Sequence, residues 1–93
     1  MIGSLTIHLH LPGCTSLKEK RGRILPLMAR IRKEFNVSVA ETELRDSHQE
    51  SLITCAMVNS EGGHLQKSLQ GVAHWVEGNW PDGDVVATRI ELW

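Results

Sequence analysis

The sequence predicts an α+β sandwich. Three observations carry that class: an opening segment with strict two-residue alternation, two later stretches with helical periodicity, and turn chemistry that separates six elements in the order β-α-β-β-α-β. In the opening segment Leu5, Ile7, Leu9 and Leu11 share one face, while Ser4, Thr6, His8 and His10 share the other. This is the pattern of a half-buried strand. Pro12-Gly13 stops it, and Ser16-x-x-Glu19 is a capping box, in which the serine hydroxyl and the glutamate carboxylate satisfy the first free amides of a helix. A helix therefore starts near Leu17.

On that helix Leu17, Ile24, Met28, Ile31 and Phe35 fall on one stripe, with Leu25 and Leu27 beside it. Pro26 conflicts with a straight rod, because it cannot donate to the Gly22 carbonyl and its ring crowds that turn. A kink is expected, or a short basic turn over 17–22 followed by a second start near 24. Residues 36–43 alternate in polarity and carry β-branched side chains, which predicts a second strand with Glu41 and Glu43 on one face. Residues 45–50 are polar enough for a loop. Residues 51–59 form a third strand, apolar on both parities and hence central in the sheet.

Asn59 or Ser60 can cap a second helix with the stripe Leu65, Leu69, Val72 and Val76, and Gly78 suits its end. Pro81-Asp82-Gly83 is a turn, and residues 85–93 form a fourth strand. This order is the split βαβ arrangement: a ferredoxin-like sandwich, one four-stranded antiparallel sheet with two helices on one face. The other sheet face is open, with the β1 residues Ser4, Thr6, His8 and His10. On the fourth strand Val86, Ile90 and Leu92 suit the core, and Ala87, Arg89, Glu91 and Trp93 the open side.

The 93 residues fit one domain, 1–93, and a chain of that length buries about 60–65% of the surface it exposes when unfolded. No apolar run approaches the roughly 18 residues of a membrane span. The start Met1-Ile2-Gly3-Ser4-Leu5 has neither a basic region nor a cleavage site, so a cytoplasmic protein with no membrane partner is expected. Cys14 and Cys55 have no CxxC spacing, and in a reducing compartment no disulfide is expected.

The charge distribution is the main functional clue. Residues 18–33 hold seven of the ten Lys and Arg against the single acid Glu19, a balance of +6, while the remaining residues carry three bases and ten acids, or −7. A net charge of −1 thus hides a dipolar surface able to steer an anionic partner. Lys18, Lys20, Arg21, Arg23, Arg30 and Lys33 are the candidate anion- or RNA-binding residues, because such side chains neutralise phosphates and release counterions. Lys20 and Arg21 flank the apolar stripe, so their stems could lie on the sheet edge with both charges aimed at a shared spot. The plain alternative is a solvated helix face. The middle strands lack the aromatic residues on which an RNA-recognition sheet stacks bases. Backbone contacts along the first helix are thus expected over sequence reading.

The open sheet face supplies a second set of candidates: His8, His10, Arg89 and Glu91. His8 and His10, two residues apart, could act as a metal pair or general base, with a third ligand from His48, Glu41, Glu43 or Glu91. Two polar side chains on an exposed or dimer-forming face explain them more simply, and neither a metal nor a cofactor is expected. Cys55 reads as core filler, Cys14 as a thiol near a helix start without a partner base, and His64 and His74 as surface positions.

The combination of a strand ending in Leu11-Pro12-Gly13, then Ser16-Leu17-Lys18-Glu19-Lys20-Arg21, then Phe35-Asn36-Val37-Ser38-Val39-Ala40-Glu41 resembles the YlxP-like family of small uncharacterised bacterial proteins. The resemblance covers nearly the whole chain and implies a ferredoxin-like domain, in agreement with the element order. It implies no activity, substrate or catalytic residue. In some bacteria the family's genes sit beside those for a translation initiation factor and ribosome-binding factor A, which implies a role near the ribosome. Relatives often have a Trp where this chain has His48. The leading expectation is a non-enzymatic cytoplasmic protein associated with RNA or the ribosome through its basic first helix. The second is a homo-oligomeric module, such as a homodimer, that pairs or binds a small ligand through its open sheet face.

Overall fold

A computed structural model describes residues 1–93. Its elements are β1 (Ile2–His10), α1 (Leu17–Glu34), β2 (Ser38–Glu43), β3 (Glu50–Val58), α2 (Gly62–Asn79) and β4 (Asp84–Leu92). The four strands form one antiparallel sheet in the order β2-β3-β1-β4, which is the ferredoxin-like topology, with β3 and β1 central.

Leu5, Ile7 and Leu9 of β1 lie opposite Cys55, Ile53 and Ser51 of β3, and these residues face the helices. Ile24, Leu27, Met28 and Ile31 from α1 and Leu65, Leu69, Val72 and Val76 from α2 close the core over them. Fully burying a side chain of this kind contributes roughly 1.5–3 kcal/mol. Gly3 completes the seam between β1 and α2: a Cβ there would stand 2.8 Å from Leu69 Cδ1, so the missing side chain lets the helix settle on the strand.

Several local expectations are corrected. Helix α1 runs through Pro26 without a break. Pro26 and Gly22 both lie on the exposed side, so the carbonyl that loses its donor can turn to water. The flanking apolar residues meanwhile hold both halves of the helix on one core. Helix α2 begins later than expected, with Glu61 at the cap position and no side-chain cap, while Asn59 Oδ1 accepts from the Glu61 amide at 2.9 Å. It ends at Asn79 rather than at Gly78.

Two bulges decide side-chain directions that simple alternation misassigns. On β4, Leu9 pairs with Val85 but His8 with Ala87, so the extra residue Val86 is turned out and is 54% exposed, while Val85 takes the core position. Ile90 packs on the core as expected, Leu92 is 38% exposed, and Ala87, Arg89 and Glu91 do lie on the open face. On β2, Glu41 pairs with Ile53 and Glu43 with Leu52. The two glutamates therefore occupy opposite faces.

Trp80, just before the Pro81-Asp82-Gly83 turn, is buried at the end of α2, although its Nε1 lies buried without an acceptor. Its ring rests on the turn before β4. A Cβ on Gly83 would stand 2.6 Å from Trp80 Cη2 and would collide with the His10 carbonyl oxygen. Because one of those neighbours is backbone, relief requires the turn to move. Gly83→Ala is accordingly expected to lower stability by about 1–3 kcal/mol, seen as a lower urea midpoint at constant slope. An unchanged midpoint would refute this tight contact.

Candidate functional site

The start of α1 is closed by its own sequence. Ser16 Oγ accepts from the Glu19 amide at 3.1 Å, and Glu19 Oε2 reaches back to the Thr15 amide at 3.0 Å and the Thr15 hydroxyl at 3.2 Å. The other carboxylate oxygen accepts from Arg23 Nη2 at 2.8 Å. The Thr15 amide, and next the Arg23 guanidinium, hold the Glu19 carboxyl below its ordinary range.

One turn further, Lys20 departs from its expected role. It is 1% exposed, and its ammonium is enclosed by the chain. Nζ donates to the carbonyl oxygens of Leu44 at 2.7 Å, Ser47 at 2.7 Å and Glu50 at 2.9 Å, with that of Arg45 at 3.4 Å, and pairs with Glu41 Oε2 at 2.8 Å. Glu41 also accepts from the buried Ser51 hydroxyl at 2.7 Å. Glu41 faces the helices by plain alternation from Val39, opposite the buried Ile53, and the β2 bulge that follows it turns Glu43 to the open face instead of this interior. Leu44 adopts the left-handed conformation, φ 59°, a backbone state that costs a non-glycine residue about 1–3 kcal/mol. Its carbonyl is one of the shortest contacts to the ammonium. Lys20 is thus a pin for the β2–β3 loop, and its charge does not join that of Arg21 at a shared surface spot.

Most of the other bases on α1 are also engaged. Arg23 Nη1 donates to the carbonyls of Pro12 at 3.2 Å and Asp82 at 3.3 Å, which ties the turns before α1 and β4 together. Arg30 donates to the Asn79 carbonyl at 3.2 Å and lies 5.0 Å from the centre of the Trp75 ring, a cation–π distance. Arg32 donates to the Val39 carbonyl at 2.9 Å. Of the sequence candidates Lys18, Arg21 and Lys33 remain exposed and unpaired, with Lys33 a helix length away from the other two.

Sequence reasoning missed Arg45. It lies in the loop that Lys20 anchors and shares with Arg21 a cleft of about 320 Å³, also lined by Leu17, Lys20, Glu41 and Asp46. Three cations against two carboxylates leave this cleft at +1, with Lys18 three residues before Arg21 on the same helix face. A signal for Lys20 did exist. The apolar stripe skips from Leu17 to Ile24, and positions 20 and 21 flank the missing step equally, so the gap marks where a long basic side chain enters the interior without saying which of the two does.

On the open face, His8 Nε2 lies 3.1 Å and His10 Nδ1 3.6 Å from Glu50 Oε2, all three partly exposed. Glu50, which sequence reasoning did not join to the histidines, arrives through the β1–β3 register, where it pairs with His10. These groups do not converge as metal ligands. Arg89 and Glu91 form a surface ion pair at 2.8 Å. Both thiols are free and buried; Cys14 Sγ approaches the Ser16 carbonyl at 3.5 Å, and burial pushes the Cys55 thiol up to about 11. No helix is long and apolar enough to cross a membrane.

Residues 2–90 match the family model described as a protein of unknown function, DUF503. The chain belongs to this family. An uncharacterised relative from Bacillus subtilis (strain 168), YlxP, is 31% identical over 91 residues, covering 98% of both chains. The resemblance read from the Ser16–Arg21 and Phe35–Glu41 motifs is thereby borne out. For this DUF503 chain, the sheet order and helix placement agree with the ferredoxin-like domain that the resemblance implied.

Two outcomes test the buried groups. Lys20→Met strands Glu41 and several loop carbonyls, so stability is expected to fall by about 3–5 kcal/mol, with the amides of residues 44–50 losing hydrogen-exchange protection first. Full protection of that loop in the variant would contradict the pin. For Cys55, the unfolded thiol ionises near 9.0 and the folded one near about 11, so between these values the unfolded chain binds fewer protons. Stability should therefore fall as pH rises through that window and be insensitive to this group below it. Cys55→Ala should flatten this alkaline limb, measured by urea melts at stepped pH; a limb of undiminished slope would refute the assignment.

Proposed function

We propose that this chain is a non-enzymatic cytoplasmic binding protein that docks on the phosphate backbone of RNA, free or within the ribosome, through the exposed first turns of α1 and the adjoining β2–β3 loop. The observation that carries this reading is selective: Arg23, Arg30 and Arg32 donate to backbone carbonyls and Lys20 is buried, whereas Arg21 and Arg45 line one cleft without an ion-pair partner, and exposed Lys18 lies three residues before Arg21 on the helix. Unpaired guanidinium groups beside each other suit phosphate, which they can hold with paired N–H donors. Lys33, at the far end of the helix, supplies a further contact for a ligand long enough to follow it. The absence of aromatics on the central strands favours backbone contacts over base reading. Two free, buried thiols suit a reducing compartment.

Fluorescence anisotropy with a labelled ribosomal RNA fragment tests the proposal. With three or four phosphates neutralised, log affinity should fall against log salt with a slope of about −2 to −4. Arg21→Glu combined with Arg45→Glu should weaken binding by at least about tenfold and flatten that slope, with an unchanged far-UV spectrum. The same affinity and slope in the double variant would reject this contact surface.

A further inference from the structure

The open face of the sheet has a definite order when its register is followed across the strands. At one end Val58, Ile2 and Trp93 lie side by side on β3, β1 and the end of β4, 74%, 53% and 65% exposed, with Ile2 and Trp93 exchanging both backbone hydrogen bonds. The next two rows are small: Ser38, Ala56 and Ser4, then Ala40, Thr54 and Thr6, with Glu91 and Arg89 on the β4 side. The row after them runs Glu43, Leu52, His8, Ala87, and the last holds Glu50, His10 and Asp84. Beside the apolar row, on the β2 side, the surface sinks into a hollow of about 310 Å³ whose walls include Ile2, Val37, Ala56 and Val58 and the polar Asn36 and Ser38.

From this order we infer that the open face pairs with the same face of a second copy of this chain, about a two-fold axis parallel to the strands and running between β1 and β3. Such an axis keeps each row opposite itself and exchanges β4 with β2. It therefore sets Trp93 of each copy over the hollow of the other, so that the most exposed aromatic meets a recess of mixed lining at the same end of the sheet, where Asn36 and Ser38 can accept from its indole N–H. The same operation lays small rows on small rows, Arg89 of one copy beside Glu43 of the other, and His10 over Glu50. A knob, its recess, an Arg–Glu charge pair and a histidine–carboxylate contact all match under a single rotation, which is the self-complementarity an isologous interface requires. Four strands about 4.8 Å apart, three of them nine residues long and β2 six, make a face of at most roughly 19 by 30 Å, which with its side-chain relief approaches the ~800 Å² per partner found in stable interfaces. An axis perpendicular to the strands would instead lay the acidic row on the apolar one. Because the helices cover the opposite side, α1 remains outward in both copies, and the inference stands independently of the RNA reading.

Sedimentation velocity over a concentration series, with far-UV spectra as a folding control, decides it. The wild-type chain is expected at twice its 10.4 kDa mass, and Trp93→Ala should raise the dimer dissociation constant about tenfold or more. Arg89→Glu alone sets two carboxylates against each other at this contact, and Glu43→Arg alone sets two guanidinium groups against each other, so each variant should be monomeric where wild type is dimeric. Mixed in equal amounts, the two variants pair their native and substituted charges in an attractive sense and should sediment as a dimer. A monomer at every concentration overturns the inference. So does a dimer indifferent to these substitutions, as an edge-paired one would be, or a mixture that stays monomeric.

Discussion

The burial of one ammonium group organises the part of this molecule where function is proposed. Taking Lys20 out of water costs several kcal/mol unless the loss is offset by well-placed acceptors, and here a carboxylate and three close carbonyls provide them. Each acceptor constrains a different piece of chain. Glu41 must face the helices, which its two-residue spacing from Val39 on β2 provides; Leu44 must adopt a left-handed backbone; and the loop must fold back so that Ser47 and Glu50 present their oxygens. Arg45 is thereby held beside Arg21. The proposed phosphate contact thus depends on a charge that never reaches solvent.

The same economy explains why a basic helix sits on a nearly neutral protein. Guanidinium groups suit the ends of neighbouring elements, where carbonyls lack intrahelical or ladder partners. Arg23 collects them from the turns before α1 and β4, Arg30 from the end of α2, and Arg32 from β2. Their density on one helix follows from that helix touching several chain ends at once. Only the few bases that these ends do not need stay free, and the positive balance of the segment overstates the charge left at the surface.

The sheet divides the remaining roles. Its helix side is a continuous apolar core interrupted only by the Lys20–Glu41–Ser51 cluster, while its open side grades from an apolar row to an acidic and histidine-bearing one. One bulge on each edge strand keeps the two sides distinct by reversing alternation where it would put Glu43 or Val86 on the helix side. The proposed phosphate contact and the proposed pairing face therefore draw on different residues of this small chain.

The order of elements, the half-buried β1, the central β3, the capping box and the stripes of both helices were legible in the residues, because each rests on periodicity or on contacts within a few positions. The open face could be read the same way for β1 and for Ala87, Arg89 and Glu91. Val86, the pair Glu41 and Glu43, the uninterrupted α1 and the burial of Trp80 were not, since a bulge or a shared core acts through neighbours distant in sequence. The candidate site was legible only in part. Lys18, Arg21 and Lys33 stand exposed, but Lys20 finds its carbonyl partners 24 to 30 residues further along, and Arg45 joins Arg21 only once that loop is drawn in. By itself the sequence determined which segments become strands and helices and how much charge they carry. Only the tertiary structure decided which charges remain free, because a buried cation is satisfied by backbone oxygens that come together when β2 and β3 pair.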